Sequence, residues 1–254
     1  MNRHAVLVGI GPGGPDQVTV EAVGALRTCD VFLVPAKDAD ASTEDLVRMR
    51  AELLERHAPG IRLVEVPDPP RDRSEHSDTS YTRAVDAWHD ARTGVFAAAI
   101  EAEVPDGGTV GFLVWGDPAF YDSTIRVLER IVSLGAEVTF EVVPGVGAIS
   151  VLAARHKLVL NTVGSAVTVT TGRRLLETVE SGVDNVVVML DGSLTCAALD
   201  TSGWDIWWGA NLGTSDEALV AGPLSVVLPD IVEARARTRR SRGWVMDTYL
   251  LRRH

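Results

Sequence analysis

The chain has 254 residues, enough for one large or two small domains, each with its own core. Its 46% hydrophobic and 23% charged residues describe a globular polypeptide, no apolar run reaches membrane-span length, and Gly9 and Pro12 come too early for a signal-peptide apolar region. A net charge of −11 argues against nucleic acid as the main partner, and Cys29 and Cys196 fit no metal or redox spacing, which points to a reducing, cytoplasmic setting.

Apolar runs at 5–10, 31–34, 61–66 and 109–114 predict strands, alternating with helical patterns at 17–28, 43–57 and 81–103. That alternation predicts an α/β domain with a largely parallel sheet. The polar, proline-rich stretch from Pro67 to Ser80 is long, as functional lids or disordered loops are. A boundary is expected at Trp115-Gly116-Asp117-Pro118, dividing the chain into domains 1–116 and 117–254. Beyond it, helices are predicted at 122–134, 146–156, 173–180 and 223–241, and strands at 137–143, 166–170, 184–190, 205–209 and 244–251. These shorter elements suggest a second α/β domain with some antiparallel pairing.

Gly9, Gly11 and Gly14 satisfy the spacing of a dinucleotide-binding loop after a strand. Pro12 and Pro15, however, each remove a backbone donor from the loop that would cradle a pyrophosphate. The expected acidic residue is also misplaced: Asp30 precedes the second strand instead of ending it. These glycines therefore suit a tight turn with close backbone approach. Read alone, they leave open a nicotinamide-dependent oxidoreductase or a non-catalytic nucleotide-binding module. Two further glycine turns, Gly116-Asp117-Pro118 and Pro144-Gly145-Val146-Gly147, also end predicted strands, where ligands bind in open parallel sheets.

Val8-Gly9-Ile10-Gly11-Pro12-Gly13, Gly116-Asp117-Pro118 and Val143-Pro144-Gly145-Val146 together resemble the three signatures of the tetrapyrrole (corrin and porphyrin) methylases. The resemblance extends through 112–118, 121–126, 170–175, 188–192, 212–217 and 243–251, so it covers essentially the whole chain. It implies an N-terminal, mostly parallel sheet domain and a C-terminal mixed-sheet domain, with the active site in the cleft between them, and a homodimer. It also implies S-adenosyl-L-methionine as cofactor and S-adenosyl-L-homocysteine as product. The longer strings imply methylation of a corrinoid precursor, precorrin-5, at ring carbon C1 with release of acetate. A relative of the same fold acting on another tetrapyrrole or on a macromolecule is the alternative.

Carried over residue by residue, cofactor contacts would fall on Pro12, Trp115, Gly116, Asp117, Phe120, Gly147, Ala148, Met189, Ala210, Leu212 and Gly213. Family members commonly carry Ser or Thr where this chain has Gly147. Deacetylation calls for a general base, and Asp122, His89 and Asp191 are the candidates. Asp122 also stands where a helix N-cap is expected. Arg173 and Arg174, after Gly172, suit bidentate clamping of substrate carboxylates, with Tyr121 as a further substrate contact. The arginines from Arg235 to Arg242 read as a solvated face, and Trp204, Trp207 and Trp208 as packing. Asp247, inside a strand-like ending, needs a partner for its charge.

Overall fold

The strand-like runs of the first half carry apolar residues at successive positions, which suits strands covered on both faces. A computed structural model describes residues 2–36, 41–70 and 78–253. β1 (Arg3–Gly9), β2 (Val31–Ala36), β3 (Arg62–Pro67), β4 (Gly108–Val114) and β5 (Val138–Val143) form a sheet in the order β3-β2-β4-β1-β5, with every pair parallel. Along β1, Ala5 and Leu7 enter one core, and Val6 and Val8 enter the other. The first core is closed by α3 (Asp78–Glu103) and α4 (Thr124–Ser133), the second by α1 (Val20–Leu26) and α2 (Ala41–His57). In α4, buried Thr124, Val127, Leu128 and Ile131 recur with helical spacing and make one apolar stripe.

The chain divides into two compact units, and the division falls after Val146. The expected boundary at 116/117 lies inside unit 1, because β5 pairs with β1 and completes the first sheet. Pro12–Gly14 group with unit 2, whereas Pro12 was expected on the first domain. Of the stretch read as either a lid or a disordered loop, residues 71–77 lie outside the described residues, and α3 begins at Asp78.

Unit 2 holds α5 (Ala148–His156), β6 (Thr168–Thr171), α6 (Leu175–Glu180), β7 (Asn185–Met189), β8 (Trp204–Ala210), β9 (Ala218–Pro223), α7 (Leu224–Arg242) and β10 (Asp247–Arg253). Its sheet runs β6-β7-β10-β8-β9, parallel between β6 and β7 and antiparallel elsewhere, the mixed pairing expected. Trp204, Ile206 and Trp208 alternate along β8 into a core with Tyr249 and Leu251. β9 has no counterpart among the predicted strands. It is a short edge strand containing two alanines, a glycine and a terminal proline, none of which favours a strand on its own.

Candidate active site

The three glycine turns end β1, β4 and β5, the three adjacent strands at one side of the first sheet. They pack on one another, backbone against backbone. Gly11 and Gly116 exchange N–H···O bonds of 3.2 and 2.9 Å. A Cβ on Gly145 would stand 2.2 Å from the Gly116 carbonyl oxygen, and one on Gly9 would stand 2.5 Å from the Gly145 nitrogen. Asp117 locks the arrangement: Oδ1 accepts from Ala119 N at 2.8 Å and Oδ2 from Gly145 N at 3.1 Å. The close approach anticipated for these glycines is therefore to each other. With Ile10 N committed to Val114 O, Gly11 N to Gly116 O, and no N–H on Pro12, the loop offers poor material for a pyrophosphate cradle.

Gly116 itself has φ +73°, and a side chain built there meets nothing within 4 Å, so its backbone borders open space. Trp115 beside it is half-buried, with the Arg50 guanidinium 5.7 Å from its ring centre. Further along the same turn, Phe120 and Tyr121 are exposed, and Tyr121 takes the left-handed φ of +56° that is uncommon for an aromatic residue. Burial raises the Tyr121 phenol above its ordinary value. Asp122 Oδ1 accepts from Thr124 N at 2.6 Å, doing the capping work at the start of α4. Ser123, formally the cap residue, makes no side-chain cap bond.

The Ser123 hydroxyl is used elsewhere: it accepts from Arg92 Nη1 at 2.8 Å. Arg92 is buried, stands 2.8 Å from the buried Asp68 carboxylate through Nε, and lies over the rings of Trp88 and Phe96 at 4.5 and 5.1 Å. The Nε···Oδ1 contact is an ion pair with off-axis geometry rather than a directed hydrogen bond. Trp88 Nε1 in turn donates to Pro69 O at 3.0 Å. This network ties the end of β3, the middle of α3 and the 120–124 turn into one piece. Nothing in the sequence pattern distinguishes Arg92 from the surface arginines of a long helix.

His89, one turn before Arg92's neighbour Thr93, is buried in α3 beside Trp88. Burial is the main cause that lowers its pKa, with Arg130 and Arg126 of α4 adding to the effect. It lines an open groove of about 620 Å³ between α3 and α4. Asp122 and His89 thus belong to unit 1 but to different surroundings, a turn at the start of α4 and an interhelical groove.

In unit 2, Asp191 follows β7 and is buried at 2% exposure. Its oxygens accept from Ser193 N, Thr195 N, Thr195 Oγ1 and Tyr249 Oη at 3.2, 2.6, 2.8 and 2.6 Å. A Cβ on Gly172 would stand 2.4 Å from Asp191 Oδ1, so the glycine preceding Arg173 makes room for this carboxylate. Arg173 and Arg174 are both exposed, and Arg174 pairs with Glu177 at 2.9 Å on the surface. Met189 is half-buried at the end of β7, with Ala210 and Leu212 buried at and beyond the end of β8. Gly213 N donates to Glu217 Oε2 at 2.7 Å. Asn211, between them, holds φ +48° and exchanges two 2.9 Å bonds with the Met246 backbone, one through its Oδ1. Asn tolerates that conformation better than most residues, a signal that could have marked the turn in advance. Gly147 caps α5 with extended backbone and no side-chain bond, and Ala148 opens the helix.

Two readings of the later arginines change. Arg235 reaches inward, its Nε 2.9 Å from Asp247 Oδ2 and its Nη2 donating to the carbonyls of Asp191 and Gly192. Arg242 pairs with Asp216 and is mostly buried. Arg237, Arg239 and Arg240 on the same helix are exposed, as a solvated face requires, so the change is confined to these two residues. Asp247 thereby finds its partner, yet burial still leaves its carboxyl above the ordinary value.

A model of the tetrapyrrole (corrin/porphyrin) methylases matches residues 4–227. The chain is 41% identical to precorrin-6A synthase (deacetylating) from Sinorhizobium sp, over 99% of this chain and 95% of that protein. It is 32% identical to cobalt-precorrin-2 C(20)-methyltransferase from Salmonella typhimurium, over 63% of this chain and 60% of that one. A solved structure of a cobalamin synthesis related protein (CobF) from Corynebacterium diphtheriae has a TM-score of 0.83 at 36% identity, covering 100% of this chain and 99% of that chain. Cobalt precorrin-4 methyltransferase, CbiF, shares the fold with a TM-score of 0.60 at 18% identity. With its three glycine turns placed on adjacent strand ends and the family match running through 4–227, the chain belongs to the tetrapyrrole (corrin/porphyrin) methylases.

Proposed function

We propose that the protein converts precorrin-5 to precorrin-6A, methylating ring carbon C1 and releasing acetate, as a cytoplasmic homodimer in cobalamin biosynthesis. The observation that carries this reading is the 41% identity, over 99% of the chain, to a protein of that activity. Tetrapyrrole methylases use S-adenosyl-L-methionine as methyl donor. The residues present fit such a group: backbone bordering open space at Gly116, apolar Trp115 and Phe120 beside it, and in unit 2 apolar Met189, Ala210 and Leu212. Pro12, Asp117, Gly147, Ala148 and Gly213 complete the proposed contacts, Asp117 by holding the turn from beneath.

When bound, the cofactor supplies an electrophilic methyl group. For that chemistry the work of this chain's own residues would be to position the macrocycle and exclude water. Deacetylation needs more. A water adds to the acyl carbonyl, the bond from that carbon to the macrocycle breaks, and acetate leaves while the electron pair stays on the ring. We assign the water's proton to Asp122. One of its oxygens caps α4, and the other accepts no hydrogen bond among the described residues. Asp191 is less suited, since four donors already occupy its two oxygens. His89, with its pKa lowered, is neutral at pH 7 and remains the second candidate. Arg173, Arg174 and Tyr121 are proposed to meet the substrate's carboxylate-bearing rim.

Incubation with precorrin-5 and S-adenosyl-L-methionine is expected to yield acetate and S-adenosyl-L-homocysteine in equal amounts. Asp122→Asn is expected to slow acetate release by about 100-fold or more. Methyl transfer without acetate would sink the deacetylating assignment, and binding of NAD but not S-adenosyl-L-homocysteine in calorimetry would sink the methylase reading. A monomer mass in sedimentation would refute the homodimer.

A further inference from the structure

Arg50 stands outside the proposed cofactor, substrate and catalytic residues, in an unusual setting. It lies on α2, half-buried, and its guanidinium reaches the end of β4. Two backbone carbonyls hold it: Nε donates to Leu113 O at 3.4 Å and Nη1 to Leu46 O at 3.2 Å. Its carbon stands 5.7 Å from the centre of the Trp115 ring. It forms no ion pair among the described residues, and Nη2 makes no hydrogen bond among them. Arg92 and Arg235 differ, each sitting within 3 Å of a carboxylate, at 2.8 and 2.9 Å, whereas Arg3 and Arg252 are half-buried like Arg50 and are held by backbone carbonyls. A buried charge without a counter-ion is costly, and it is retained where something else supplies the opposite charge.

Asp122 acts on Arg50 only at longer range. Burial lowers the guanidinium to about 10, which leaves it charged at neutral pH. Leu113 and Trp115 flank Val114, the last residue of β4, so the free edge of Arg50 belongs to the strand end that carries Gly116. The planar fork of a guanidinium matches a carboxylate.

We propose that Arg50 is a carboxylate-binding site at the end of β4, taking an anionic group of a bound ligand over the face of Trp115. It rests on the methylase reading for the ligand's identity. Two carboxylates could fill it: a side chain of the tetrapyrrole, which we favour because Trp115 offers an aromatic face to a macrocycle, or the amino-acid end of the cofactor.

The test uses the full-length protein with Arg50→Lys and Arg50→Gln, the lysine variant retaining the charge should the glutamine variant fold poorly. Methyl transfer is followed while precorrin-5 is varied, and S-adenosyl-L-homocysteine affinity is measured by calorimetry. Binding of uroporphyrin, an octacarboxylic tetrapyrrole, is followed by tryptophan quenching. For Arg50→Gln we expect the tetrapyrrole KM and the uroporphyrin Kd to rise about 10- to 100-fold, with kcat and homocysteine-product affinity changed less than twofold. Arg50→Lys recovers part of the loss. A fall in S-adenosyl-L-homocysteine affinity instead, with tetrapyrrole KM unchanged, places the cofactor's carboxylate there. Unchanged values for both ligands overturn the site. Should the wild-type protein bind uroporphyrin but transfer no methyl group to precorrin-5, the proposed activity fails while the comparison of uroporphyrin affinities still decides Arg50.

Discussion

Gly145→Ala is the most searching test of how the three turns are held. The added methyl would lie 2.2 Å from the Gly116 carbonyl oxygen and 2.8 Å from both Gly9 C and Gly9 Cα. Ordinary contact begins near 3.4 Å, so a backbone must shift by about 1 Å, and no side-chain rotation relieves the clash. Overpacking of this kind costs about 1–3 kcal/mol. The same shift pulls Gly145 N from Asp117 Oδ2, a hydrogen bond to a charged acceptor worth about 1.5–3 kcal/mol. The expected loss is thus about 2.5–6 kcal/mol, a large share of the roughly 5–15 kcal/mol that stabilises a domain. Urea unfolding followed by tryptophan fluorescence measures it, with S-adenosyl-L-homocysteine affinity as the functional readout. Gly24→Ala is the control. Gly24 sits in α1 with nothing within 4 Å of a built Cβ, and alanine there is expected to stabilise by about 0.5–1 kcal/mol. Equal midpoints for Gly145→Ala and wild type would refute the packing account.

Arg92→Met leaves the Asp68 carboxylate buried and unpaired and frees Ser123, and is expected to cost about 3–5 kcal/mol; Asp68→Asn in the same chain should recover part of it, and additive losses would contradict the pairing. His89 carries a folded-state pKa below its ordinary 6.5, so the unfolded chain binds the extra proton: its contribution to stability is present above pH 6.5 and is lost as pH falls below that. His89→Gln should therefore flatten the acid side of the stability profile, and an unchanged slope between about pH 6.5 and 5 would exclude this histidine as the cause. Burial pushes both thiols up to about 12, so Cys29 and Cys196 should resist iodoacetamide at pH 8 until denaturant is added; rapid labelling of the native protein would contradict their placement.

Much of the candidate site was legible because strand ends and glycine turns are written locally. Gly9, Gly116 and Gly145 stand beside apolar runs, and glycine at a strand end signals a tight turn or close approach without knowledge of the partner. Hydrophobic period likewise announced the helices of unit 1 and the mixed strands of unit 2. β9 escaped because an edge strand of small residues draws its pairing from β8 and carries little preference of its own.

The sequence by itself determined the alternation of elements, the order of the turns and the family. Tertiary structure alone decided what the turns approach, and which charged residues leave the solvent. Gly11 and Gly116 are 105 positions apart by number, yet they are hydrogen-bonded neighbours because β1 and β4 pair in parallel and end together. Arg50, Arg92 and Arg235 read as ordinary helical cations, since nothing in their neighbours along the chain shows that one meets a bare strand end and the others buried aspartates. Long-range electrostatics and packing are properties of residues brought together by the fold, and local pattern carries no record of them.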